Sequence, residues 1–193
     1  MLVTTYELRW FIREKPFLIN KVFGAGSDPD ERVDWYAPPA HPGTGTKLRE
    51  GRLETKLRTD IVEEVHVAGC HGTMERWQKW SSPLSESMPD DTLLAANGWI
   101  AVRKRRWLQV WSTEAADLAI VHDRAGQGAL FELTELEVSF VTSWTVGFEA
   151  FGPEGTRQSS LERVMTHVLE HLPAHGQLSS SDSMGYPAWL LRP

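Results

Sequence analysis

The segment TKLREGRLETKLRT, Thr46 to Thr59, decides the reading of the fold. Side chains along a strand alternate between two faces. Lys47 and Arg49 therefore share one face, and Glu54, Lys56 and Arg58 share a face past the turn at Glu50-Gly51. Leu48, Leu53, Thr55 and Leu57 point the other way. The pattern predicts a hairpin with one wholly charged face, either a solvated sheet surface or the wall of a polar cavity.

The rest of the chain extends this pattern. TTYELRWFI places Tyr6, Leu8, Trp10 and Ile12 on one face and Thr5, Glu7, Arg9 and Phe11 on the other. WIAVRKRRWLQVWS, ADLAIVHDRAG, GALFELTELEVSF and SWTVGFEAFG read as further strands, and DIVEEVHVAG continues extended from Asp60. DWYAPPAHPGTG, Asp34 to Gly45, reads as a Pro/Gly loop, REKPFLINKVFGAG as a short helix after Pro16, and residues 90–96 as another. SSLERVMTHVLEHL predicts a helix over 159–172. Ser159 and Glu162 have capping-box spacing, and Leu161, Val164, Met165, Val168, Leu169 and Leu172 form an apolar stripe. Roughly eight sequential strands with short turns predict an antiparallel barrel, mainly β within the α+β class, over about 4–152 of one domain spanning 1–193. If the lumen is open, polar faces look inward and helices cover the apolar outside.

Composition narrows the partners. The 193 residues are 41% hydrophobic with net charge -6, which disfavours wholesale nucleic-acid binding and gives weight to any local basic cluster. One cysteine, Cys70, forbids an internal disulfide and favours a reducing cytoplasm. No apolar run approaches the length of a membrane span. Nine tryptophans are expected to fill a core or line a cavity mouth.

Charges recur on six strands, as Glu7/Arg9, Lys47/Arg49, Glu54/Lys56/Arg58, Arg103 to Arg106, Glu132/Glu135/Glu137 and Glu149. Any one pair is ordinary surface chemistry. Glu149, among Val146, Phe148 and Phe151, needs a polar cavity, a partner charge or a metal. Segregated signs suit a site where Lys and Arg hold phosphate oxygens and carboxylates hold a divalent metal.

In this order the segments YELRWF, TKLREG, LETKLR, AVRKRRW, FELTELEV and WTVGFEAF resemble the strands of the CYTH, or triphosphate tunnel metalloenzyme, family. The resemblance covers most of residues 4–152 and implies an eight-stranded antiparallel tunnel. It implies a phosphorylated small molecule or polyphosphate held by Arg9, Lys47, Arg49, Lys56, Arg58, Lys104 and Arg106. It also implies Mg²⁺ or Mn²⁺ on Glu7, Glu54, Glu135 and Glu149, and a metal-dependent triphosphatase activity. Two positions depart from the family pattern: Thr5 and Gly147 stand where carboxylates are usual, with Glu132, Glu135 or Glu137 placed to compensate. A barrel that binds an organic anion or nucleotide without turnover, or one that binds a protein partner, is the competing expectation.

Other features read more plainly. His66 and His71 flank Cys70, but no second cysteine completes a known zinc pattern. His167 and His171 are one helical turn apart without the Glu of a metalloprotease motif. RWQKW, Arg76 to Trp80, reads as tryptophan packing with Lys79 reaching outward rather than a base-stacking platform. The helix and the tail ending in Trp189 pack either on the barrel or on a second copy as a homodimer.

Overall fold

The computed structural model describes residues 2–16, 22–24, 26–85, 87–171 and 178–192. Its strands are β1 (Leu2–Ile12), β2 (Asp30–Tyr36), β3 (Thr44–Arg49), β4 (Arg52–Val67), β5 (Cys70–Pro83), β6 (Ile100–Ser112), β7 (Ala119–Val121), β8 (Gly128–Val138) and β9 (Val141–Phe151). The helices are α1 (Asp91–Ala96), α2 (Glu154–His171) and α3 (Tyr186–Leu190), with a 3₁₀ turn at Ser180–Asp182.

Eight strands close into an antiparallel barrel in the order β2-β3-β4-β5-β1-β9-β8-β6, sealed where β6 returns to β2. β7 adds a short edge beyond β6. The Glu50-Gly51 turn has positive φ at both residues, the type I′ geometry whose twist matches a hairpin. It fixes Lys47 opposite Glu54 and Leu48 opposite Leu53.

The alternation puts the main core outside the barrel. Leu8, Trp10, Phe131, Leu133, Val146 and Phe148 face outward and are buried beneath Leu161, Val164, Met165, Val168 and Leu169 of α2. A smaller cluster joins Trp35 and Leu48 to Leu94 of α1. Each fully buried aliphatic or aromatic side chain contributes about 1.5–3 kcal/mol, so α2 is a structural wall rather than an appendage. Trp10, Trp35, Trp77, Trp107 and Trp144 are buried, whereas Trp80 is exposed.

The seam between β1 and β5 is different. Their pairing stops at Glu7, and beyond it β1 pairs only with β9. The segment after residue 177 fills this gap. Leu178 accepts from the His71 N–H, Ser183 Oγ from the Thr73 N–H, and Arg9 C=O from the Met184 N–H. Having entered the seam, the chain turns into the lumen as α3. Tyr186 stacks on Tyr36 and Trp189 on Phe11, and both join a cluster with Val102, Leu136 and Met184. Gly45 and Gly185 permit this approach. A Cβ on Gly45 would lie 2.7 Å from Pro187, and one on Gly185 2.6 Å from Trp77.

Several expectations need correction. Asp34 to Tyr36 are the end of β2, not the start of the Pro/Gly loop. The predicted helix begins at Glu154 rather than Ser159, whose hydroxyl donates to Thr156 C=O inside the helix instead of capping it. The extended continuation expected from Asp60 is one strand with the hairpin arm, β4 to Val67, with register shifts after Arg58 and Ile61. The tail lies within the barrel, so that half of the packing question is answered on the same chain. Leu172 and most of the short helix expected after Pro16 lie outside the described residues. Among the described residues no helix is long and apolar enough to cross a membrane.

Candidate functional site in the barrel lumen

The inward faces converge on a cavity of about 160 Å³. β1 contributes Glu7 and Arg9, β3 Lys47 and Arg49, β4 Glu54 and Lys56, β6 Lys104 and Arg106, and β9 Glu149. The hairpin that opened the sequence reading is thus cavity wall. Of the expected anion-binding residues, all but Arg58 line the cavity; Arg58 sits beside it with its guanidinium on Glu75. Arg32, Lys79, Arg124, Glu75, Trp77, Tyr36 and Tyr186 also line it and were not expected, and so does Glu132, one of the three carboxylates expected to compensate for Thr5 and Gly147.

Nine Lys or Arg and five Glu side chains form this lining, and two carboxylates outside it pair with lining cations: buried Asp34, and Asp30, which is 2.7 Å from Arg106. A net positive interior therefore sits inside a chain of net charge -6. Three of the carboxylates, Asp34, Glu54 and Glu132, are each shared by several cations. Asp34 Oδ2 lies 2.8 Å from both Lys47 Nζ and Lys104 Nζ, and Arg32 Nε is 3.3 Å from Oδ1. Glu54 takes Arg49 at 3.0 Å, Lys79 at 3.1 Å and Lys47 at 3.5 Å. Glu132 takes Arg9 at 2.8 Å and Arg106 at 3.5 Å. Glu7 is held by Lys56 and by the Thr5 hydroxyl. Arg124 carries no ion pair among the described residues.

The protonation states follow from these contacts. Burial raises the Asp34 carboxyl, but Lys104, Lys47 and Arg32 overturn that and hold it well below the usual range. Glu132 is held low against burial by Arg9 and Arg106. Glu54 falls to about 2 because Lys47, Lys79 and Arg49 outweigh its burial. Burial lowers the two lysines, Lys47 to about 7 and Lys104 to about 8, with Asp34 opposing. Lys104 also donates to the Tyr36 hydroxyl at 2.9 Å and lies 3.9 Å from the centre of the Tyr186 ring.

The two departures from the family pattern have a structural explanation. Gly147 sits in register between Arg9 of β1 and Glu132 of β8. A Cβ on Gly147 would come within 2.7 Å of the Arg9 guanidinium. The missing side chain leaves the space in which Arg9 crosses β9 to reach Glu132. A guanidinium–carboxylate pair thus stands where a bare carboxylate was expected. Thr5 supplies a hydroxyl that donates to Glu7 at 2.6 Å.

The carboxylates expected to bind metal do not converge. Glu135 is on the outer face of β8, 3.0 Å from Arg105, because its odd position has opposite parity to inward Glu132. Glu54 is saturated by three cations. Glu7 and Glu149 are register neighbours, but Lys56 occupies Glu7. Among the described residues no three His, Cys, Asp or Glu side chains group closely enough to hold a metal ion. These residues alone therefore do not form a cage of several protein oxygens for Mg²⁺ or Mn²⁺, and Glu7 and Glu149 are the neighbouring carboxylates on the wall. No protein-family model matches the chain, and no curated protein matches it significantly.

Two signals in the sequence could have found the missed residues. Arg32, Asp34 and Tyr36 have the period-2 spacing of a strand, obscured by Pro38 and Pro39 just beyond. Glu75, Trp77 and Lys79 likewise alternate inward along β5.

Proposed function

We propose that this is a CYTH-like barrel that binds a phosphorylated polyanion, such as a triphosphate, in its lumen without needing a metal. The carrying observation is the excess of Lys and Arg over carboxylates on the inward face of an acidic protein. Shared carboxylates leave part of each cation's donor set unused, and those N–H donors are available to a ligand. Guanidinium and ammonium groups bind phosphate oxygens through charge-assisted hydrogen bonds, and Arg9, Arg49, Arg106, Lys56 and Lys79 are spread around the wall to do so. Lys56 on Glu7 and three cations on Glu54 engage the carboxylates that a catalytic metal would need, which favours binding over hydrolysis.

The test is a thermal shift with tripolyphosphate, with and without Mg²⁺. A ligand that binds only the folded state stabilises it by about 2.7 kcal/mol at a hundredfold excess over Kd. The expected result is a rise in Tm that does not require Mg²⁺ and diminishes as salt increases. A flat response to every triphosphate tried would overturn the proposal. Phosphate release with Mg²⁺ or Mn²⁺ would overturn its metal-free, non-hydrolytic part.

The affinity also carries a pH signature. Lys104 and Lys47 lose their charges as pH rises through about 8 and about 7. Binding of a trisulfonate, whose own charge is fixed over this range, is therefore expected to strengthen as pH falls from 9 to 6. Calorimetric titration checks this, and Lys104→Met should flatten the upper part of the profile.

A further inference from the structure

Outside the lumen, the far end of the β4–β5 hairpin carries a second cluster of potential ligands. His66 and His71 are directly opposed, one pair in from the Ala68-Gly69 turn. Both turn residues have positive φ, a two-residue geometry that fixes the register. The imidazoles share the solvent-facing side of the hairpin and are exposed. Their Nδ1 atoms are 2.6 Å apart, so one carries a hydrogen and the other accepts it. The two Nδ1 atoms thus face one point, one as N–H and one with its lone pair, and both lone pairs face it once the hydrogen sits on Nε2 instead.

The backbone beneath is held from several sides. The His71 C=O accepts from Trp10 Nε1 at 2.7 Å, and its N–H donates to Leu178 C=O at 2.7 Å. Val65 and Cys70 are buried in the main core, and the Trp10 ring lies so close to Gly72 that a Cβ there would meet it at 2.5 Å. Only side-chain rotation is left to adjust the pair. On the same face, two residues along β4, Glu64 brings a carboxylate that accepts from Thr73 Oγ1 at 3.1 Å and is exposed.

We propose that His66 and His71 form a two-imidazole site for a borderline divalent transition metal, of the Zn²⁺, Cu²⁺ or Ni²⁺ class. The metal takes the place of the shared hydrogen, which moves to Nε2 of its own ring so that both imidazoles bind neutral through Nδ1. Ligand nitrogens bind such ions at about 2.0–2.1 Å, which sets two of them roughly 3 Å apart across a tetrahedral or square site. The pair therefore opens by a few tenths of an ångström. Water completes the coordination, and the Glu64 carboxylate on the same face adds negative charge nearby. Imidazole selects these ions over Mg²⁺ and Ca²⁺, which prefer oxygen. The site is independent of the lumen, since neither histidine lines the cavity. It differs from the second histidine pair, His167 and His171, where His171 Nδ1 is engaged with the His167 C=O at 2.7 Å.

The test is a calorimetric titration of the tag-free full chain with Zn²⁺, Cu²⁺ or Ni²⁺ alone. The expected result is one saturable site that acid displaces, because protons compete with the metal for the ligand nitrogens. Affinity should fall at least about tenfold in His66→Gln and in His71→Gln, an effect at least as large as losing an outer partner of a ligand. His167→Gln should leave it unchanged. Circular dichroism of the two hairpin variants separates lost binding from lost fold, and imidazole NMR shifts on metal addition locate the ion independently. No saturable heat, an affinity unaffected by both hairpin substitutions, or saturation by Mg²⁺ would overturn the proposal.

Discussion

Asp34→Ala is expected to lower the unfolding free energy by about 3–5 kcal/mol, the cost of leaving buried charges without their partner. Asp34 is fully buried and is the shared counterion of Lys47, Lys104 and Arg32. Removing it leaves Lys104 among the rings of Tyr36 and Tyr186, with Lys47 reaching only Glu54 at 3.5 Å. The loss should depend on pH in a defined direction. Both lysines already titrate below the ordinary 10.5, and without Asp34 they fall further, while in the unfolded chain they do not. The unfolded state then binds more protons between the two values, so the variant regains stability as pH rises toward 10. Urea denaturation at several pH values measures this. Asp34→Ala with Lys104→Met should recover much of the deficit, because a buried ion pair replaced by apolar groups is often neutral. An unchanged denaturation midpoint for Asp34→Ala would show that the cluster is hydrated rather than buried.

Deleting residues 185–193 should remove about 3–6 kcal/mol. Two aromatic side chains and a leucine leave an apolar site, each worth about 1.5–3 kcal/mol when fully buried. Phe11, Tyr36, Val102 and Leu136 lose their cover at one end of the barrel. The expected readouts are a lower urea midpoint and new binding of an apolar dye. Lys104 loses the Tyr186 ring and gains water, so its pKa rises from about 8 toward the ordinary lysine value. A truncated chain with an unaltered midpoint and no dye binding would mean that α3 is not seated in the lumen.

The barrel was legible in the sequence because alternation is a local property. Lys47, Arg49, Glu54 and Lys56 declared their shared face through spacing alone, and the Glu50-Gly51 turn set their register. Three parts were not legible. The prolines after Tyr36 drew the loop reading back over Asp34, hiding both the eighth wall of the barrel and its central carboxylate. On β8, Glu132 and Glu135 have opposite parity, and choosing between them needs the register with β9, which pairs Glu132 with Gly147. The seating of Tyr186 depends on a gap between β1 and β5, a tertiary feature that no periodicity in the tail encodes.

On the proposed anion-binding function, the sharing of Asp34, Glu54 and Glu132 among several cations would make the lumen an ion exchanger. A monovalent anion that draws one lysine away from its carboxylate trades one contact for another and gains little. A polyvalent anion can engage the surplus cations together while the internal carboxylates keep the remaining ones in place. Discrimination is then by valence rather than by shape: chloride and acetate at physiological strength should pass through the cavity weakly, and chains of linked phosphates should be retained.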